Sequence, residues 1–150
     1  MKKMLLFFLM SLSCTFTVLA KDRNSESNLP SEGSMKIRIT IGNTILAATM
    51  ADNATVHDFI SLMPLTLTMT DYNHIEKVSN LSRPLTTSEA PPGYDPSVGD
   101  ITLYAPWENI AIFYGDYGYA HGLIFLGRID SGIETFAVPG SLTVRFEVMP

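Results

Sequence analysis

The sequence predicts a mainly-β fold, a closed barrel of about eight strands with one or two short helices. Three observations carry that expectation. Apolar and polar residues alternate with a period of two in segment after segment beyond Met35, the pattern of strands with one buried face. A single stretch, Val56, Phe59, Ile60 and Met63, has the i, i+3, i+4, i+7 spacing of an amphipathic helix instead. So many short strands would also leave sticky edges unless the sheet closed on itself.

Ile37, Ile39 and Ile41 alternate with Lys36, Arg38 and Thr40, and Gly42-Asn43 separates them from Thr44 to Met50, so the domain opens with a β-hairpin. Asp52-Asn53 closes that pair. Thr55-Val56-His57-Asp58 resembles a helix capping box, with Asp in place of the usual Glu or Gln, which makes Thr55 the expected cap. The helix stops before Pro64, because the residue ahead of a proline is pushed out of the helical region. Leu65, Leu67 and Met69, alternating with Thr66, Thr68 and Thr70, form the next strand. Asp71 to Asp100 is the least regular part, with Arg83-Pro84, Ala90-Pro91-Pro92-Gly93-Tyr94-Asp95-Pro96 and Val98-Gly99-Asp100. It reads as one short strand, Ile75 to Leu81, and a long ordered excursion. Strands return at Ile101 to Ala105, Ile110 to Tyr114 and Leu123 to Ile129, and in the last one Leu142, Val144, Phe146 and Val148 alternate with Thr143, Arg145 and Glu147.

Residues 1–20 have the three parts of a secretory signal: Lys2 and Lys3, an uncharged apolar run from Met4 to Val18, and small residues ahead of a cut after Ala20. The run is short of the roughly 20 residues a membrane span needs, and Lys21-Asp22-Arg23 follows at once. Export to a periplasmic or extracellular location is therefore expected. The alternative is a lipoprotein anchored through Cys14, for which Ser11-Leu12-Ser13 is a poor lipobox. Residues 21–34 are charged, small or turn-forming and read as a flexible linker, leaving 35–150 as the folded domain. Cys14 is the only cysteine, so the cleaved chain has neither disulfide nor thiol chemistry and must hold together by its core alone. Cleavage also removes Lys2 and Lys3, leaving eight basic residues against 15 acidic ones, a net charge of about −7. Such a chain repels phosphate backbones, which excludes nucleic acid as an expected partner.

The second half carries a family resemblance. Gly99-Asp100-Ile101 through Tyr104-Ala105-Pro106-Trp107, then Ile110-Ala111-Ile112-Phe113-Tyr114-Gly115, then Leu126-Gly127-Arg128-Ile129 resemble the cyclophilin-like families of small bacterial β-barrel proteins. Pro64-Leu65-Thr66-Leu67-Thr68 and Pro92-Gly93-Tyr94-Asp95-Pro96 fit the same families. The resemblance implies a cyclophilin-like barrel with a groove on its outer face rather than a cavity at its centre. Similarity to true cyclophilins, which isomerise X-Pro bonds, is confined to Phe125-Leu126-Gly127-Arg128-Ile129 with Gly132 and Ile133. The Phe-His-Arg stretch of those enzymes is absent, and Arg83 is the only arginine in the intervening region. That departure matters because X-Pro rotation faces a barrier of roughly 20 kcal/mol, and losing one placed donor costs enzymes about 10²-fold or more.

Five side chains form the expected ligand site: Trp107, Tyr117, Tyr119 and His121, clustered around a Gly-rich loop, with Tyr94 from the excursion as an opposite wall. Amphipathic rings hold a peptide or flat ligand at modest entropic cost, and loops carry sites disproportionately. Packing at the barrel rim is the competing role for Trp107. Asp130-Ser131-Gly132 matches the core of aspartic proteases, but one copy would need a homodimer and the tripeptide is also an ordinary turn. His57, His74 and His121 lack the spacing of a zinc pair, and no nucleotide-binding signature occurs, so neither metal nor cofactor is expected. The expected function is binding of an unidentified peptide or small-molecule ligand by an exported monomer or weak dimer, without robust catalysis. A divergent peptidyl-prolyl isomerase is the alternative.

Overall fold

The computed structural model describes residues 34–150. The expected signal peptide and, Ser34 apart, the expected linker lie outside the described residues. Ten strands run in chain order: β1 Lys36–Ile41, β2 Thr44–Met50, β3 Leu65–Tyr72, β4 Glu76–Asn80, β5 Gly93–Tyr94, β6 Asp100–Tyr104, β7 Asn109–Phe113, β8 Ala120–His121, β9 Leu123–Ile129 and β10 Leu142–Val148. Eight of them close into an antiparallel barrel in the order β1-β10-β3-β4-β7-β6-β9-β2, and β5 and β8 form a separate two-stranded ribbon. The described residues hold one short helix, α1 (Ala54–Ile60), and two 3-10 turns at Ala105–Trp107 and Ile133–Phe136. The closed mainly-β barrel is thus the fold that the alternation predicted.

Alternation fixes which side chains go inside. Ile37, Ile39 and Ile41 of β1, Leu67 and Met69 of β3, and Val144 and Phe146 of β10 are all buried in one core. The β1–β2 hairpin turns on Gly42-Asn43, with Ile41 paired to Thr44 and Gly42 at φ 57, a left-handed conformation glycine adopts freely. Between β6 and β9 the register slips: Ile101 pairs with Gly127 but Thr102 with Phe125, leaving Leu126 as a bulge. The bulge changes parity, so Ile124, Leu126 and Ile129 can all reach the core. Gly127 is required where β9 crosses β2, since a Cβ there would lie 2.6 Å from the Thr49 carbonyl oxygen and 2.7 Å from Met50 Sδ.

Helix α1 adds Val56 and Phe59 to the core, Phe59 meeting Phe146 edge to face at 5.9 Å. Its cap differs from the predicted box. Asn53 is the cap and accepts from the Val56 N–H, while Thr55 is buried. Asn is at least as good a cap as Thr. Asp58 does not close the box either, because its carboxylate takes a charge-assisted pair of bonds from Arg83, Nη1 at 3.1 Å and Nη2 at 2.6 Å, and a third from the Thr86 N–H. Those bonds pin the start of the excursion to α1 and hold Asp58 at a pKa of about 2, with the Arg83 hydrogen bond as the main cause.

Strand β4 carries an inward-facing lysine. Lys77 pairs in register with the core residue Ile112 and is fully buried. Its ammonium group is satisfied by Asp71 Oδ1 at 2.6 Å and by the carbonyl oxygens of Val138 and Gly140 at 2.7 and 2.5 Å. Asp71 also accepts from the Tyr114 hydroxyl and the Gly140 N–H. With the Lys77 hydrogen bond as the largest cause, its pKa falls to about 2.

Candidate functional site

Because β4, β6, β7 and β9 give every second residue to the core, their other residues must face outward. On that outer side Ala111, Phe113 and Leu123 are buried as a second apolar cluster, packed by Val78, Tyr94, Tyr104 and Ala120. Register aligns them: Tyr104 lies opposite both Asn109 of β7 and Leu123 of β9, and Glu76 lies opposite both Tyr72 of β3 and Phe113 of β7. The result is an outer-face groove of about 130 Å³. Val78, Ala120 and Leu123 supply aliphatic lining, and Tyr72, Tyr104, Trp107, Phe113 and Tyr117 supply five rings.

Trp107 is set by the 3-10 turn between β6 and β7 and is held edge to face by Tyr104 at 5.2 Å and Tyr72 at 5.8 Å. Even so, it is 54% exposed. Tyr117 stacks on Phe113 at 6.3 Å and is also half exposed. Both rings are thus held by neighbours yet left open to water. Two polar groups share the groove. Asn109 is buried and its Oδ1 has no hydrogen-bond partner among the described residues. Burial pushes the Glu76 carboxyl up to about 7, and neither a hydrogen bond nor a cation offsets that burial. Among the described residues, no Lys, Arg or His lines the groove.

Of the five residues expected to form the site, the fold brings Trp107 and Tyr117 together here. Tyr94 stands behind the wall instead. Its ring packs on Phe125 at 5.3 Å, and its hydroxyl donates to Asp100 Oδ2 at 2.8 Å. Burial, then that bond, raises its pKa to about 12. Buried Asp100 also accepts from Arg128 Nε and the Ser97 N–H, so it fastens the end of the excursion to the barrel. Tyr119 and His121 flank Ala120 on the β5–β8 ribbon. Ala120 lines the groove, so strand alternation turns its two neighbours to the ribbon's other face. There they pack edge to face at 5.2 Å, with Tyr119 across the Gly93 backbone.

Sequence reasoning missed Tyr72, Glu76, Tyr104 and Asn109. One signal was available: Ile110 to Phe113 is continuously apolar rather than alternating, which means something covers the outer face of β7. The other motifs have structural employment. Asp130 accepts from Lys36 Nζ and Thr49 Oγ1 in the turn after β9, and exposed His57 pairs with Asp52 at 2.8 Å. No cluster of metal-ligating side chains occurs among the described residues.

The domain is a closed eight-stranded antiparallel barrel with an aromatic groove on its outer wall. The chain belongs to the Cyclophilin-like family, whose model matches residues 39–147. The solution structure of a hypothetical protein from Archaeoglobus fulgidus is similar, with a TM-score of 0.57 at 20% identity, covering 81% of this chain and 100% of that one. At that identity the likeness shows the fold alone. A search of curated proteins finds no match.

Proposed function

We propose that this chain is an exported binding module, periplasmic or extracellular and monomeric or weakly dimeric, that takes a peptide or small ligand in the outer-face groove without robust catalysis. The observation that carries this reading is the groove itself: five rings around an aliphatic lining, with the Glu76 carboxyl and the Asn109 amide left unspent. Binding sites combine apolar walls with a few convergent polar groups in this way. Trp107 and Tyr117 are the contacts within the groove. Tyr94 supports the wall, and Tyr119 and His121 would touch only a ligand long enough to cross the ribbon. The isomerase alternative needs a cation beside the twisting amide, whereas Arg83 is committed to Asp58.

Trp107, the single tryptophan, reports on the groove directly. Capped tripeptides with each of the twenty side chains at the centre, titrated against its fluorescence, should include binders whose affinity falls at least tenfold in Tyr117→Ala. No response to any peptide would refute the binding reading. Acceleration of X-Pro isomerisation that Trp107→Ala abolishes would establish the catalytic alternative instead. For export, amino-terminal sequencing of protein from its native host should give Lys21. An acylated Cys14 would mean lipid anchoring, and a retained Met1 would rule export out.

A further inference from the structure

We infer that the occupant of this groove is a lysine side chain of a peptide, its aliphatic stem laid along Val78, Ala120 and Leu123 and its ammonium group held by Glu76 among the rings of Trp107 and Tyr117. The inference rests on the binding reading above and adds the ligand's chemistry. Both groups left without a partner accept hydrogen bonds, and one of them, the Glu76 carboxyl, also favours a cation. Glu76 is a partly buried carboxyl of the groove lining with no cation beside it among the described residues. The neighbouring cation on its own strand, Lys77, faces the opposite side of the sheet and is spent on Asp71 and two carbonyls. Asn109 Oδ1 is a second acceptor without a donor among the described residues, but it is shut off from solvent, so it makes the wall polar and is not itself a contact for the ammonium group.

Aromatic faces add to the same preference, since their negative quadrupoles attract ammonium groups. Size narrows the choice further. About 130 Å³ is well below the roughly 300–1,000 Å³ of sites that engulf a whole small molecule, but suits one side chain entering from an open outer face. Lysine matches the two-part lining because it buries its methylene stem against apolar surface while keeping its head in a polar place. The titratable groups that line the groove with Glu76 are Tyr72 from β3, Tyr104 from β6 and Tyr117. Tyr114, just after β7, also feels the Glu76 charge and has its pKa at about 12, chiefly through burial. All four are phenols, so Glu76 is the one carboxyl among the lining residues.

The test compares acetyl-Gly-Lys-Gly-amide with its norleucine counterpart, the same stem without the charge, by Trp107 fluorescence. At pH 8 the lysine peptide should bind at least tenfold more tightly. Its affinity should fall between pH 8 and pH 5 as Glu76 gains a proton, and the norleucine peptide's should not. Glu76→Gln should level the two peptides, with circular dichroism confirming that the variant is folded. Equal affinities in the wild type, or a lysine preference that survives in Glu76→Gln, would overturn the inference while leaving a groove that binds peptides. Silence from both peptides would overturn it, and a lack of response across the full tripeptide set would remove the binding reading as well. Butylammonium should bind at least tenfold more weakly than the lysine peptide, and equal binding would reject a peptide source.

Discussion

Replacing Glu76 by glutamine should stabilise the protein, and by an amount that depends on pH. Folding lifts this carboxyl from its ordinary 4.5 to about 7, through burial alone. Between those values the folded protein keeps a proton that the unfolded chain releases. Stability therefore falls as pH rises through that window and levels off above it. At about 1.4 kcal/mol per pH unit the ceiling is roughly 3 kcal/mol. The groove is open to water, whose screening reduces this to about 1–2 kcal/mol. Glutamine keeps the shape and cannot ionise, so it escapes the loss. Urea titrations of both proteins at pH 4.5, 6 and 8 should give nearly equal stabilities at the lowest pH, diverging to about 1–2 kcal/mol in favour of Glu76→Gln at the highest. A constant difference across the three values, or one that shrinks as pH rises, would refute the assignment of Glu76 as an unpaired buried acid.

Acid acts through different carboxylates. Asp58 and Asp71 are held at about 2 against an ordinary 3.8, so their contribution is complete above pH 4 and is lost as pH falls towards 2. Combined with Glu76, this places the stability maximum of the wild type near pH 4 to 5, which a pH series of thermal melts would locate; a maximum above pH 7 would contradict it. Lys77→Ala strips a buried ammonium group from Asp71 and two loop carbonyls, and should cost about 3 kcal/mol or more in urea titrations. A loss below 1 kcal/mol would show that the 138–140 loop does not depend on it. Tyr119→Ala removes a ring that is 53% exposed, so its stability should change by only about 0.5 kcal/mol, and a loss near 3 would mean that the ring is core.

Alternation made the barrel legible from sequence, because β1, β3 and β10 each bury one face and expose the other. The Gly-Asp and Gly-Arg dipeptides that carried the family resemblance also have physical reasons. Asp100 gathers three donors, and Gly127 allows β9 to cross β2. The site was only half legible. Trp107 and Tyr117 stood out as aromatics beside glycines, but proximity in the chain also drew in Tyr119 and His121, which strand alternation around Ala120 turns away. Glu76 was invisible for a different reason. In Glu76-Lys77-Val78 the apolar residue faces the outer groove and the lysine faces the core, and only the register with Ile112 and the carbonyls at Val138 and Gly140 reveals that inversion.

Strand β4 therefore serves the barrel with one set of residues and the groove with the other. Substitution can alter either set alone: a change at Glu76 or Val78 retunes the groove while Lys77 keeps its place. Insertion or deletion has no such freedom. One residue added just ahead of Glu76 would turn the side chains beyond it to the opposite face, sending the ammonium group out and the carboxyl in, so the groove and the core would be lost together. Relatives whose grooves have diverged should accordingly differ in residue identity along this strand, and their length differences should fall in the excursion between β4 and β6.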